Sequence, residues 1–136
     1  MSFIGDFRTV LLGDSGISAL VGTRLYPDLL PQNPTLPALT YTQVSGIRET
    51  NLDGPMDLVE RRIQIDGWTE TALSRETLAE AVRLALNGFQ GPLGGSPETG
   101  RIYAAFLDNE QSFYEPDTKL FRVSLDFRIV AYESVT

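Results

Sequence analysis

Phe121-Arg122-Val123-Ser124-Leu125-Asp126-Phe127-Arg128-Ile129-Val130-Ala131 is the stretch on which the fold of this chain turns. Phe121, Val123, Leu125, Phe127, Ile129 and Ala131 fall on one side of an extended chain, and Leu120, Arg122, Ser124, Asp126, Arg128 and Val130 on the other. A strand repeats every two residues, so this alternation predicts a long antiparallel strand with one face on a core. The same reading extends upstream. Val59, Arg61, Ile63 and Ile65 alternate with Glu60, Arg62, Gln64 and Asp66, with Arg61 interrupting the apolar row. Arg61 therefore marks a partly buried face or a sheet rim, and Gly67-Trp68 predicts a bulge or a strand end. Ile102 to Leu107 is apolar on both faces, which predicts a central strand, and a hairpin across residues 114–118 joins it to the last strand. Ala38 to Val44, rich in β-branched and aromatic residues, supplies the fourth strand.

Helices surround these strands. Phe3, Phe7, Val10 and Leu11 share one helical face, and Gly13 stops it. Asp14 or Ser15 caps a short second helix whose apolar side is Ile17, Leu20 and Val21, and Gly22 ends it. From Thr71 to Asn87, Leu78, Val82, Ala85 and Phe89 form a stripe widened by Leu73, Ala81 and Leu86, with Glu76, Glu80 and Arg83 outside it. Between these elements, Pro27, Pro31, Pro34 and Pro37 predict an extended surface connector. Residues 45–58 predict a long loop or an irregular hairpin tip, and Gln90 to Gly100 a surface loop. The expected fold is α+β, one domain over residues 1–136. It has two layers: a mostly antiparallel four-stranded sheet with helices packed on one face, plus the N-terminal helices.

Composition narrows function. The 136 residues hold neither His nor Cys, so thiolate chemistry, disulfides and the commonest general base are excluded. The net charge is −7, and both halves are acidic: six acids against three arginines in residues 1–58 leave −3 there and −4 in the rest. That argues against tight phosphate-backbone binding. No apolar run approaches the roughly 18 residues of a membrane span, and the opening Met1-Ser2-Phe3-Ile4-Gly5-Asp6 lacks the basic start of a secretory signal. No cofactor and no membrane partner is implied.

Each candidate chemical constellation has a plainer reading. Asp66, Asp108, Glu110 and Asp126 are the carboxylates from which a divalent-ion site would be built, but polar residues belong on an outer strand face in any case. Gly91-Pro92-Leu93-Gly94-Gly95 lacks the lysine and following helix of a phosphate cradle. Ser15, in Gly-Asp-Ser-Gly, has no histidine to activate it and is better explained as a helix cap. Trp68 is expected to pack in a core or an interface. Arg122 and Arg128, flanking Asp126 on the polar side of the last strand, form either a solvated surface or a subunit contact.

Several collinear segments are worth quoting together. They are Leu11-Leu12-Gly13-Asp14-Ser15-Gly16-Ile17-Ser18-Ala19-Leu20-Val21-Gly22-Thr23-Arg24-Leu25-Tyr26-Pro27, Leu36-Pro37-Ala38-Leu39-Thr40-Tyr41, Asp53-Gly54-Pro55 and Ile63-Gln64-Ile65-Asp66-Gly67-Trp68. After them come the Leu78 to Leu86 helix running into Asn87-Gly88-Phe89, Tyr114-Glu115-Pro116, and Phe121 to Phe127. Together they resemble the tail-completion proteins of long-tailed bacteriophages and phage-derived gene transfer agents, also called tail terminators or tail-to-head joining proteins. The resemblance implies structural work in a virion, at the tail–head junction, with assembly in the host cytoplasm. It implies a self-associating ring, commonly a hexamer, that caps the tail tube protein, stops its growth and meets the head connector protein while DNA passes through the lumen without specific binding. It brings no catalytic, cofactor or metal residues.

A closed ring needs two different patches per subunit. On the reading above, Arg48, Glu49, Asp53 and Asp57 in the 45–58 segment face a neighbour or the lumen, with Arg122 and Arg128 as further interface candidates. The competing readings are a head-side connector or stopper, a small carboxylate metal-dependent enzyme such as a nuclease, and an adaptor that recruits another protein through the proline connector.

Overall fold

The computed structural model describes residues 3–51, 54–93 and 100–133. The elements run α1 (Phe3–Leu12), α2 (Ser15–Val21), β1 (Leu25–Pro27), β2 (Ala38–Asn51), β3 (Gly54–Thr69), α3 (Ala72–Leu86), β4 (Gly91–Pro92), β5 (Gly100–Glu115) and β6 (Leu120–Glu133). The sheet has six strands in the order β1-β2-β3-β6-β5-β4. The α+β class holds, and the four long strands are those read from the sequence. The expected strand count of four is corrected by β1, which pairs parallel to β2 from Leu25 to Pro27, and by β4, whose Gly91 and Pro92 oppose Ile102 and Arg101. Three residues ending in proline, and two in a glycine-rich loop, carry too little periodicity to be read.

β3 and β6 form the middle of the sheet, antiparallel over twelve consecutive pairs from Leu58↔Tyr132 to Thr69↔Phe121 with no shift in register. This alignment stacks Ile63 beside Phe127, Ile65 beside Leu125 and Gly67 beside Val123 on the helix side. Phe7, Leu11, Ile17, Val21, Leu78, Val82 and Leu86 of the helices close over that row, and nearly all are fully buried. The expected break at Gly67-Trp68 is absent: β3 continues to Thr69. Gly67 keeps the inward phase because a Cβ there would lie 2.8 Å from Leu78 Cδ2 and 3.1 Å from Val123 Cγ1. The glycine is a place where α3 presses on the sheet.

β2 and β3 extend far into the segment expected to be a loop. Their pairing runs to Asn51↔Gly54, with register shifts between Gln43 and Ser45 and between Arg48 and Thr50. Residues 45–51 and 54–58 are therefore an irregular hairpin, the second of the two forms expected, not a loop. β5 is not central. Beyond β4 its outer edge has no strand partner among the described residues. Its two-faced apolar pattern comes from a register shift between Ile102 and Ala104, which moves Ala105 inward and leaves Tyr103 and Phe106 exposed. The turn at residues 116–119 joins β5 to β6 where the hairpin was expected.

Caps and side-chain ties fix the helices. Asp14, not Ser15, caps α2 by accepting from the Ile17 amide at 2.9 Å. Thr71 caps α3 by accepting from Ser74 at 3.0 Å. Leu73, expected in the α3 stripe, is exposed instead. Arg24 donates to the Leu20 carbonyl at the end of α2 (3.1 Å) and to the Pro37 carbonyl (2.9 Å), so the Arg-x-Tyr-Pro exit closes the proline connector back onto the helix. Arg8 reaches the Thr23 carbonyl from α1. Arg61, at the rim of the inner row, is buried with its guanidinium 4.3 Å from the Phe3 ring centre and donating to Gln43 Oε1 at 2.6 Å.

Two measurements check this packing. Gly67→Ala is expected to lower stability by about 1–3 kcal/mol in urea unfolding, because the added methyl overpacks the contact between Leu78 and Val123; an unchanged midpoint would mean α3 sits off the sheet. Burial is the main cause that raises the Tyr41 phenol above its usual 10.0, with Arg8 opposing and Asp28 reinforcing. The unfolded chain then loses this proton first, so folding stability falls as pH rises from about 10 through the folded value. Tyr41→Phe is expected to shallow that alkaline loss in a pH series of thermal melts.

Candidate functional site

The face of the sheet opposite the helices is built from the residues out of phase with the core: Glu60, Arg62, Gln64, Asp66 and Trp68 on β3, and Arg122, Ser124, Asp126 and Arg128 on β6. Period-two alternation in a ladder without slips places them together. β5 adds Phe106, Asp108 and Phe113, because Phe106 opposes Arg128 and Phe113 opposes Arg122.

Arg122 is the organising group. Its Nε donates to Glu115 at 2.9 Å and its Nη1 lies 3.4 Å from Asp66. The guanidinium carbon sits 4.4 Å from the Phe113 ring centre and 5.4 Å from that of Trp68. A planar guanidinium serves two carboxylates at its edge while stacking its faces on aromatic rings, a combination an ammonium cannot copy. Trp68 donates in turn to Thr40 on β2 at 3.1 Å. One side chain thus couples β2, β3, β6 and β5 across an open face. Arg128 repeats the theme nearer the other end, between Glu60 (3.5 Å) and Asp108 (3.3 Å) and 5.0 Å from the Phe106 ring centre. Arg62 also reaches Asp108 at 3.3 Å.

Of the residues read as assembly candidates, Arg122 and Arg128 therefore lie on one half-exposed face, each held in a network. Arg48 and Glu49 fall in β2 and Asp57 in β3, with side chains outside the described residues; Asp53 lies outside them altogether. The carboxylates do not converge. Asp66 and Asp108 answer arginines on the open face, whereas Glu110 pairs with Arg83 of α3 at 3.2 Å on the helix side. Among the described residues no three acids are grouped to hold a metal ion, and no helix is long and apolar enough to cross a membrane. Sequence reasoning missed the aromatic partners Phe106 and Phe113, because the two register shifts in β5 had to be known to place them.

A second surface lies on the helix side. A groove of about 440 Å³ between α2 and α3 is lined by Ala19, Leu20, Thr77, Ala81 and the exposed Leu84. A neighbouring hollow of about 370 Å³ includes Val10, Phe89 and Pro92. Asp14 and Ala85 border both.

Comparison with known proteins places this architecture. The family model described as "Tail completion protein gp17" matches residues 6–132. The chain belongs to that family. Membership in it supports a structural role in tail assembly. A search of curated proteins gave no match. Among solved structures, the fold is similar to a chain of the "Virion of native gene transfer agent (GTA) particle". That match has a TM-score of 0.69 at 20% identity and covers 96% of this chain and 98% of the other. At such identity the likeness shows the fold.

The Arg122 network is checked by substitution. Arg122→Ala is expected to cost about 1–3 kcal/mol in urea unfolding, since Asp66 and Glu115 lose the cation between them and two rings lose their guanidinium contact. Arg122→Lys should restore less than half of it. Full recovery with lysine would show that only charge matters there.

Proposed function

We propose that this tail completion protein closes into a ring, commonly a hexamer in the resemblance given above, on the finished end of a tail tube. The ring ends tube polymerisation, offers its opposite face to the head connector and lets DNA pass without specific binding. The observation that carries this reading is the family match over residues 6–132 of a chain with neither His nor Cys. Its place in the particle is the tail–head junction, reached after assembly in the cytoplasm of the host.

The charge pattern supports an orientation in the ring. The helix-free face carries five acids (Glu60, Asp66, Asp108, Glu115, Asp126) against four arginines; Arg62, Arg122 and Arg128 each pair with at least one of those acids, and Arg101 lies at the end of the face, opposite Tyr132. A surface whose central cations are already neutralised, and whose balance is negative, repels phosphate and does not grip it. That suits a bore through which DNA slides. The β2–β3 ladder continues beyond Leu58, where pairing with β6 begins, and on this reading Arg48, Glu49, Asp53 and Asp57, in and around that end of the hairpin, touch a neighbour or line the opening.

Deleting the gene is expected to give overlong or headless tails beside filled, tailless heads in negative-stain electron microscopy. Normal tails of normal length would remove the proposal, and normal tails beside heads that leak DNA would move the protein to a head-side stopper. Removing residues 48–57, which shortens the hairpin beyond Ile47↔Glu60, is expected to leave a folded domain by circular dichroism that no longer complements the deletion. Normal particles from that variant would show that the hairpin is not an assembly element.

A further inference from the structure

The two long sheet edges are each capped at one end and open at the other. β1 covers β2 only from Leu39 to Tyr41. β4 covers β5 only at Arg101 and Ile102, after which Asn87 and Gly88 take the Leu107 amide and the Ala105 carbonyl. Among the described residues no strand covers the second half of β2, beyond the shift at Gln43, or the second half of β5, from Glu110 to Glu115. An open edge is a template for another strand and must be blunted or used. Here both open halves carry exposed apolar side chains: Val44 (55% exposed) and Ile47 (60%) on β2, and Phe113 (36%) and Tyr114 (51%) on β5.

Resting on the ring reading above, we propose that the open half of β5 in one copy pairs antiparallel with the open half of β2 in the next copy. The geometry fits at three levels. Directions alternate along β2, β3, β6 and β5, so an even set of four long strands is continued by the next copy's β2 without a parallel contact.

Hydrogen-bonding parity agrees. The Lys119 amide donates to the Glu115 carbonyl across the turn, so Glu115, Phe113 and Gln111 direct their backbone groups to β6, leaving those of Glu110, Ser112 and Tyr114 for the open edge. On β2, Leu39 and Tyr41 bond outward to Arg24 and Asp28. Continued through the bulge at Val44, that alternation turns Gly46 outward as well. Ser112 and Gly46 are therefore partners, and both lie in rows that face the helices, opposite Val123 and Arg61 respectively.

The offset agrees too. Inside one copy Ser112 is level with Leu39, through Val123 and Gly67. Pairing Ser112 with the next copy's Gly46 shifts that copy by about six residues once the bulge is discounted, ~20 Å along the strand for every ~19 Å of four strands. That is a tilt near 45°, at the upper end of what closed barrels adopt. β1 and β4 then act as stops that forbid an unstaggered, flat contact.

The test uses the cysteine-free background. The double variant Gly46→Cys, Ser112→Cys is supplied to particles lacking the native gene, oxidised, and run on non-reducing gels. The Cβ added at residue 46 comes tightest on the Gln43 side-chain amide, at 3.0 Å, and meets Arg61 and Val59 only at 4.0 Å, so a small shift of the Gln43 side chain admits it. A ladder of covalent oligomers from the double variant, and none from either single variant, is the expected result. Complementing particles whose double variant stays monomeric on the gel would overturn the edge pairing while leaving the tail reading intact; normal tails in the gene deletion defeat the reading beneath it. Should the double variant fail to assemble, Ser112→Pro decides. Its missing amide faces the open edge, so the monomer should keep its far-ultraviolet circular dichroism yet fail to complement. Full complementation by Ser112→Pro would overturn the pairing.

Discussion

The register of β3 on β6 is the constraint from which the rest follows. Twelve pairs without a bulge assign every residue from Leu58 to Thr69 to one face or the other, and a slip by one would turn Ile63, Ile65, Leu125 and Phe127 into solvent. With the register fixed, the inner row is apolar enough to hold three helices. Its one gap, Gly67, is where Leu78 of α3 comes closest. The outer row is then equally determined, and its arginines and acids meet because the ladder leaves them no other neighbours.

The two faces are stabilised by different means. Apolar burial under α1, α2 and α3 supplies the larger share of stability, as in any domain of this size. The open face is held by guanidinium groups that bridge carboxylates and cover rings. Arg122 links Asp66, Glu115, Phe113 and Trp68, and Arg128 links Glu60, Asp108 and Phe106. A sheet face rigid without a second layer can border a space. In the ring proposed for this chain that property would keep the bore clear for DNA without helices to close it.

Much of this was legible in the sequence wherever periodicity is long. The alternation from Phe121 to Ala131, the α3 stripe from Leu78 to Leu86 and the hairpin at residues 114–118 all follow from spacing. Arg122 and Arg128 were assigned to the polar side by parity alone, and that is where they lie. What periodicity could not show depends on long-range contact. β1 and β4 exist only because β2 and β5 offer them edges. β5 was read as central because its register shifts mix two faces into one apolar run. Gly67-Trp68 was read as a break because the sequence does not show that α3 needs a missing side chain there. Leu73 fits the helical stripe, yet it lies in the first turn of α3 and is exposed. The roles of Arg24 and Arg8 lie in backbone carbonyls that no residue pattern reveals.

The central claim is that this subunit surrounds the DNA path at the head end of the tail with its helix-free face inward. Electron cryomicroscopy of the neck of intact particles tests it most directly. The account predicts one ring of this chain between tube and connector, with α1 to α3 outside and the Arg122 and Arg128 rows lining the bore. A ring with the helices lining the bore, or this chain found along the tube or at its distal tip, would contradict it.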